Sequence, residues 1–376
     1  MNFGFTEEQE LLRSEARKLL DADAPMDAVR KHVELPEGFS RELWKKISEL
    51  GWPGLIVPEA CGGAGLGFVD LTVLLEETGR SLFPSPLLST SLAASVILDL
   101  AAEDQARRFV EGLADGSRIG TVALLEANDH LAPSGVALRA RPAGGDGQGY
   151  VLEGEKRFVP DADAADLFVV AARKGETEDD VGFFVVDRGA PGLTTANLPC
   201  MDTTKRQGTL RLEGVRVGEG ALLESQGAHA FERVLLRGAA LATAEMLGAA
   251  DGALALTVRY AKERIQFGQP IGKFQGVKHP LAEHHVAIES GKSLLYYAAW
   301  ALDESPEEAP RAVSMAKAYV TDALSRLGLD VVGLHGGIGY TMEYDAQLYL
   351  KRSKWAKPFF GDADFHYDRI AKLGGR

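Results

Sequence analysis

Cysteine is nearly missing from this chain: two in 376 residues, Cys61 and Cys200, far apart and without metal-ligand spacing. That argues against a disulfide framework and makes a reducing cytoplasm the simplest compartment. Positive charge is also short. Lys and Arg number 41 against 54 Asp and Glu, a net charge of -13, which speaks against nucleic acid or an anionic membrane as the main partner. It does not exclude an anionic ligand, because local basic groups decide that. No stretch approaches the roughly 18 uninterrupted apolar residues of a membrane span, so no membrane insertion is expected. The opening MNFGFTEEQE lacks the basic and apolar regions of a secretory signal. No repeat and no low-complexity tract is visible. His284 and His285 adjoin Glu283, but neighbouring histidines point to different helix faces, and no metal site is expected.

What remains is a globular balance, 45% hydrophobic and 25% charged, in a chain too long for one compact core. Three segments can be read: helices over 1–118, short β runs over 119–226, and helices again over 227–376. Thr6 with Gln9 fits a capping box ahead of Leu11, Leu12, Leu19 and Leu20. A second helix is expected over 40–50 and a third over 69–82, stopped by Pro84 and Pro86. The glycine-rich Pro58–Gly67 has no following lysine or Ser/Thr in the right place and reads as a turn. Strands are expected at 119–125, 149–152, 167–172, 182–186 and 209–212, after turn chemistry at Ala143–Gly149 (AGGDGQG). They suggest a small antiparallel sheet or barrel. Four long helices follow, over 228–262, from His279 or Leu281 to Glu304, over 310–332 with Gly333 as cap, and over 343–357. Short connections between them suggest an antiparallel four-helix bundle, and the class is α+β.

The most specific stretches are Tyr260–Leu281 (YAKERIQFGQPIGKFQGVKHPL) and Leu334–Tyr344 (LHGGIGYTMEY). The first resembles the acyl-CoA dehydrogenase superfamily's R-x-x-F-G-x-x-I turn with its following F-Q. The second resembles its H-G-G-x-G-Y-T-x-E-Y. Gly51–Leu66 (GWPGLIVPEACGGAGL) and Gly154-Glu155-Lys156 look like further family elements, so the resemblance spans nearly the whole chain. It implies FAD as cofactor, an acyl-CoA substrate, an electron-transfer flavoprotein as acceptor, and a tetramer, homomeric or α2β2. It also implies that the F-G and H-G-G elements grip the adenine-pyrophosphate half of a neighbouring subunit's FAD. On that reading Arg264, Phe267, Gln275, Gly336, Gly337 and Gly339 are cofactor-binding residues, and Phe158 offers an aromatic face to the flavin. Arg264 is a permanently charged fork suited to a pyrophosphate, and the glycines permit close backbone approach.

Other elements depart from the family. Its reaction needs a carboxylate base whose pKa suits an α-proton. Counting from Gly336, the base position falls on Phe360; counting back from Arg264, the alternative position falls on Gly238. Glu232 and Glu245 are the nearest acids on that helix. Glu245 shares a face with Gly238 but lies two turns, roughly 10 Å, along the axis. Asp362 and Asp364 closely follow Phe360. Glu245 and Asp362 are therefore the candidate catalytic residues, against ion-pair and helix-end alternatives. The T-E-P-x-x-G-S-D element is reduced to Leu125-Glu126-Ala127, Pro160 has neither hydroxyl nor N–H for a flavin contact, and Gly333 replaces a glutamine. Elements reaching toward a neighbour's FAD are kept and those serving the chain's own flavin are eroded. This pattern resembles heteromeric members in which a degenerate subunit completes a partner's site. The first reading implied is an FAD-dependent acyl-CoA dehydrogenase with a noncanonical base, forming a 2,3-enoyl-CoA. The alternatives are a non-catalytic or half-site subunit of an α2β2 enzyme, another flavin reaction on this fold, and a flavin-free acyl-CoA scaffold. Arg264, Phe267 and H-G-G argue against the last.

Overall fold

The structure is a computed structural model that describes residues 5–144 and 149–374; most of the AGGDGQG run lies outside the described residues. Helices come first: α1 (Glu7–Asp23), α2 (Met26–His32), α3 (Arg41–Glu49), α4 (Phe68–Arg80), α5 (Leu87–Leu100) and α6 (Glu103–Ala114). Strands follow: β1 (Gly120–Ala123), β2 (Arg139–Pro142), β3 (Tyr150–Pro160), β4 (Leu167–Arg173), β5 (Val181–Asp187), β6 (Leu193–Leu198) and β7 (Gln207–Val217). The remainder is α7 (Gly227–Glu263), a hairpin of β8 (Ile265–Gln266) and β9 (Gln269–Pro270), then α8 (Gln275–Glu304), α9 (Ala309–His335), α10 (Ala346–Ala356) and α11 (Ala363–Gly374). Two compact units result. One gathers Met1–Lys31, Phe68–Phe83 and Ala239–Arg376; the other gathers His32–Gly67 and Pro84–Gly238.

The second unit holds the curled sheet, in the order β1-β4-β2-β3-β7-β6 with β5 on β4. Most pairings are antiparallel, as expected; β1 and β2 join β4 in parallel. Every residue of β4 is buried, as its unbroken LFVVAAR run requires of a strand covered on both faces. A buried ionic knot ties β3 down. Lys156 is fully buried, and its Nζ donates to Leu124 O at 3.0 Å and Glu126 Oε1 at 2.7 Å. The same carboxylate oxygen accepts the N–H groups of Ala137 and Leu138, each at 2.9 Å. Burial pulls Lys156 down to about 8, against the opposing pull of Glu126. The glycine-rich 58–67 stretch is a structural turn: a Cβ on Gly63 would lie 2.1 Å from Val57 O.

In the first unit α1 starts with the expected capping box. Gln9 N–H donates to Thr6 Oγ1 at 3.2 Å and Thr6 N–H to Gln9 Oε1 at 3.1 Å. Helices α4 and α7 touch backbone to backbone. A Cβ on Gly248 would stand 1.8 Å from Glu76 O, one on Gly252 2.4 Å from Arg80 O, and one on Gly79 2.1 Å from Glu245 O. Beside this contact Arg13 Nη1 lies 3.3 Å from Glu76 Oε2, and Tyr296 donates to the same oxygen at 3.0 Å. Burial raises the Glu76 carboxyl to about 7, with Arg13 pulling the other way. By length and mean hydropathy α7 is long and apolar enough to cross a membrane, but 89% of its apolar window is buried inside the protein, which marks a core helix.

Two expected boundaries and the number of C-terminal helices need correction. Helix α9 does not stop at Gly333 but runs to His335, where Gly336 takes over the cap. Helix α8 starts earlier, at Gln275, and carries Pro280 in its second turn. A fifth helix, α11, follows the four that were expected.

The α4–α7 contact yields a prediction. Gly248→Ala forces a methyl against the Glu76 carbonyl and should cost about 3 kcal/mol in urea unfolding, the upper end of overpacking. Gly276→Ala in α8, with nothing near its Cβ, should be neutral or stabilise by up to about 1 kcal/mol. Equal stabilities for the two variants would refute the close contact.

Candidate functional site

At the end of α7 the chain turns through β8 and β9 by a two-residue loop, Phe267 (φ 52°) and Gly268 (φ 78°). Positive φ at both positions is what a tight hairpin needs, and Ile271 N–H closes it on Arg264 O at 2.8 Å. The turn leaves Phe267 92% exposed, its ring edge-on to Phe274 at 6.1 Å. Arg264 is exposed at the hairpin base, and Gln275 opens α8 directly after it.

The glycine loop lies at the same end. His335, the last residue of α9, is buried between Tyr260 and Tyr344, with ring centroids 4.4 Å and 5.0 Å away. Tyr260 also donates to His335 O at 3.3 Å. Burial lowers the His335 pKa; the neutral ring donates through Nδ1 to Val331 O at 2.7 Å. Gly336 adopts φ 63°, ψ -143°, a region close to one reserved for glycine. Gly336 and Gly337 are exposed, with open space where a Cβ would stand, whereas Gly339 is buried and a Cβ there would lie 2.8 Å from His335 Cβ and Val332 O. Gly336 and Gly337 thus present bare backbone, while Gly339 is glycine for packing. Arg264, Phe267, Gln275 and the glycine loop all lie in the same compact unit, with Tyr260 near the end of α7 linking that helix to the start of the loop. A guanidinium fork, a helix N-terminus and open backbone suit the pyrophosphate half of FAD.

Neither candidate base stands free. Glu245 is 4% exposed, and its Oε2 lies 3.7 Å from Arg352 Nη1, itself 1% exposed. Asp362 caps α11, its Oδ1 accepting Phe365 N–H at 2.9 Å. Glu232 is half-buried and Asp364 is exposed. Phe360 is buried with φ 56°, its ring against Phe359 at 4.7 Å, and Phe359 lies against Trp355 at 4.6 Å. The carbonyl of Phe360 accepts from His366 Nε2 at 2.9 Å. Burial pulls His366 down to about 3, so the ring is neutral. Just before the turn, the fully buried Lys317 donates from Nζ to Ala356 O and Lys357 O at 3.3 Å and to Thr321 Oγ1 at 3.1 Å. Lys317, His366 and Arg352 were not foreseen as site residues. Lys317 alone left a signal, a lysine within the apolar Ala316–Val320 face.

In the sheet unit Phe158 sits in a bulge of β3, between the register-paired Lys156 and Val159. Its φ of 54° turns the ring outward, 42% exposed. Pro160 offers no N–H, and its carbonyl is occupied by Thr121 Oγ1 at 2.6 Å.

Burial depresses Lys317 from 10.5 to about 7, with Asp362 opposing. The unfolded chain therefore binds more protons between about pH 7 and 10.5, and this lysine makes the fold more stable as pH rises through that window. Lys317→Met should flatten the stability-versus-pH slope between pH 7 and 9 by at most about 1.4 kcal/mol per unit. Lys156 leaves a residual slope. Unchanged slopes in urea titrations would show that Lys317 titrates normally.

Comparison with known proteins identifies the family. Models of the acyl-CoA dehydrogenase N-terminal, middle and C-terminal domains match residues 6–117, 134–215 and 225–374. The acyl-CoA dehydrogenase IpdE2 of Mycolicibacterium smegmatis is 31% identical over 357 residues, 95% of either chain. Among solved structures, the Tcur3481–Tcur3483 steroid ACAD is 33% identical with a TM-score of 0.88, covering 98% of each chain. The ChsE4–ChsE5 complex from Mycobacterium tuberculosis is 27% identical with a TM-score of 0.90, covering 100% of this chain and 99% of that one. The chain belongs to the acyl-CoA dehydrogenase superfamily, a family of FAD-dependent oxidoreductases.

Proposed function

We propose that this chain is a half-site subunit of a heteromeric acyl-CoA dehydrogenase, contributing to α,β-dehydrogenation of an acyl-CoA thioester while a partner chain supplies the base. The observation that carries the reading is the turn at Phe360. An aromatic ring packs at the position that counting from Gly336 assigns to the family's carboxylate, and the two nearest acids have other partners, Glu245 with Arg352 and Asp362 at the start of α11. FAD, when bound, supplies the hydride acceptor. In this reading Arg264 holds the pyrophosphate, the bare backbone at Gly336 and Gly337 lies against it, and the exposed Phe267 hairpin and Gln275 complete the grip. Phe158 offers its exposed face to a flavin ring. Loss of donors at Pro160 weakens the chain's own flavin site and not its reach toward a neighbour's.

The chain's likeness to the two-component ChsE4–ChsE5 complex and to a steroid ACAD supports an α2β2 assembly and a bulky acyl group such as a steroid side chain. Electrons then pass to an electron-transfer flavoprotein, and the assembly works in the cytoplasm. Residues 1–118, 119–226 and 227–376 act as its three functional segments.

The test is the visible spectrum of the chain expressed alone and with a second acyl-CoA dehydrogenase-like chain that carries a glutamate at the base position. The chain alone should be colourless, and the pair should hold flavin that acyl-CoA bleaches anaerobically. One FAD per chain without a partner, bleached by acyl-CoA, would establish a self-sufficient enzyme. Glu245→Gln separates the roles further. As an ion-pair partner it should lower stability measurably, by removing the carboxylate charge opposite the buried Arg352, and leave the pair's bleaching rate unchanged. A collapsed rate at normal stability would make Glu245 the base.

A further inference from the structure

Between the end of α9 and the start of α10 the chain runs through residues 336–345, with Gly336 and Gly337 open to solvent and Gly339 packed against the end of α9. At one end Tyr260 holds the carbonyl of His335. At the other a residue far away in sequence does the holding. Arg30, on α2, donates from Nη1 to Met342 O at 2.7 Å, from Nη2 to Asp345 Oδ1 at 2.8 Å, and from Nη2 to Glu343 O at 3.4 Å. Two of these acceptors are backbone carbonyls, so the contact fixes the path of the main chain and not only a side chain. It also removes Asp345 from the role its position suggests: Asp345 stands at the N-cap of α10 but makes no capping bond with its side chain. The intervening Thr341 folds back on Ile338 O, through N–H at 3.1 Å and Oγ1 at 3.0 Å. Displacement at 342–345 is thereby passed on to 336–340. Tyr344 packs on His335, while Tyr340 is 80% and Met342 64% exposed.

We propose that Arg30 is a positioning residue for the dinucleotide grip: by clamping Met342–Asp345 it holds the Gly336–Gly337 backbone in the shape that meets a pyrophosphate. The proposal rests on the reading of the glycine loop given above. Lysine serves poorly in this role, because the three bonds use two nitrogens of one planar fork. The contact is local to one surface loop and does not reach the buried core of the unit. Its two side chains are 28% and 27% exposed, so part of its charge attraction is screened by solvent and discounted. Binding and stability therefore separate.

Calorimetric titration of the full chain with ADP and with adenosine tests this, using the parent, Arg30→Ala, Arg30→Lys and Arg264→Ala. Arg30→Ala should weaken ADP roughly tenfold, the scale of one to two groups left unordered, and leave adenosine and the melting temperature nearly unchanged. Arg30→Lys should recover only part of the loss, and hydrogen exchange at 338–345 should rise in step. ADP binding that falls in Arg264→Ala but not in Arg30→Ala overturns the proposal and spares the reading of the loop. A parent chain on which ADP binds no better than adenosine removes both. Equal losses for ADP and adenosine, with a lower melting temperature, would make Arg30 an ordinary stabilising contact.

Discussion

Helices α4 and α7 approach until a methyl on Gly248 would lie 1.8 Å from the carbonyl of Glu76, and one on Gly79 2.1 Å from the carbonyl of Glu245. At that distance no side chain separates the helices, and whatever branches off next to the contact points into packed protein. Glu76 and Glu245 both do. A carboxylate there is tolerated only beside a cation or with its proton retained. Glu76 has Arg13 and Tyr296; Glu245 has Arg352, brought in by α10. The glycine contact thus decides the chemistry of residue 245 before any substrate is considered. An acid in the apolar run 241–247 looks like a catalytic oddity in the sequence. In three dimensions it is one half of a buried charge pair.

A second constraint concerns the backbone. Phe158, Phe267 and Phe360 all hold positive φ, a conformation costing phenylalanine about 1–2 kcal/mol. Each lies at a position that the sequence motifs mark. In every case the conformation is imposed from outside the residue: by the β3 bulge at 158, by the paired strands and Gly268 at 267, and by His366 on the Phe360 carbonyl with Lys317 on the carbonyls just before it. A turn held by its main chain does not depend on the side chain it displays. That explains how position 360 carries an aromatic ring while the surrounding turn stays ordered.

Much of this was legible in the sequence where the cause is local. Thr6 and Gln9 cap α1 because both partners lie within one turn, and Phe267-Gly268 announces a tight loop because glycine follows directly. The long helices were read to within a few residues by their apolar spacing. Strands β2 and β6 were missed because RARP and LTTANL carry little apolar periodicity; β6 is half-exposed and depends on pairing with β7. The end of α9 was misjudged because Gly333 fits inside a helix at modest cost, while only Gly336 has the dihedral angles that stop one. The partners of Glu245, of the Phe360 carbonyl and of the 342–345 loop were invisible for one shared reason. Each comes from another element, and no spacing rule connects Arg30 to Asp345.

The buried ionisable groups show what the fold tolerates to keep these placements. Glu76, raised to about 7, favours the folded state at low pH and loses that advantage as pH rises from 4.5 to 7. Lys317 and Lys156, lowered to about 7 and about 8, recover stability only as pH rises beyond those values. Together the three groups make their smallest contribution near neutrality, where single domains tend to be most stable. Groups arranged for stability alone would not behave this way. Lys317 grips the two carbonyls that lead into the Phe360 turn, and Lys156 joins β3 to the segment after β1, so both spend stability on position.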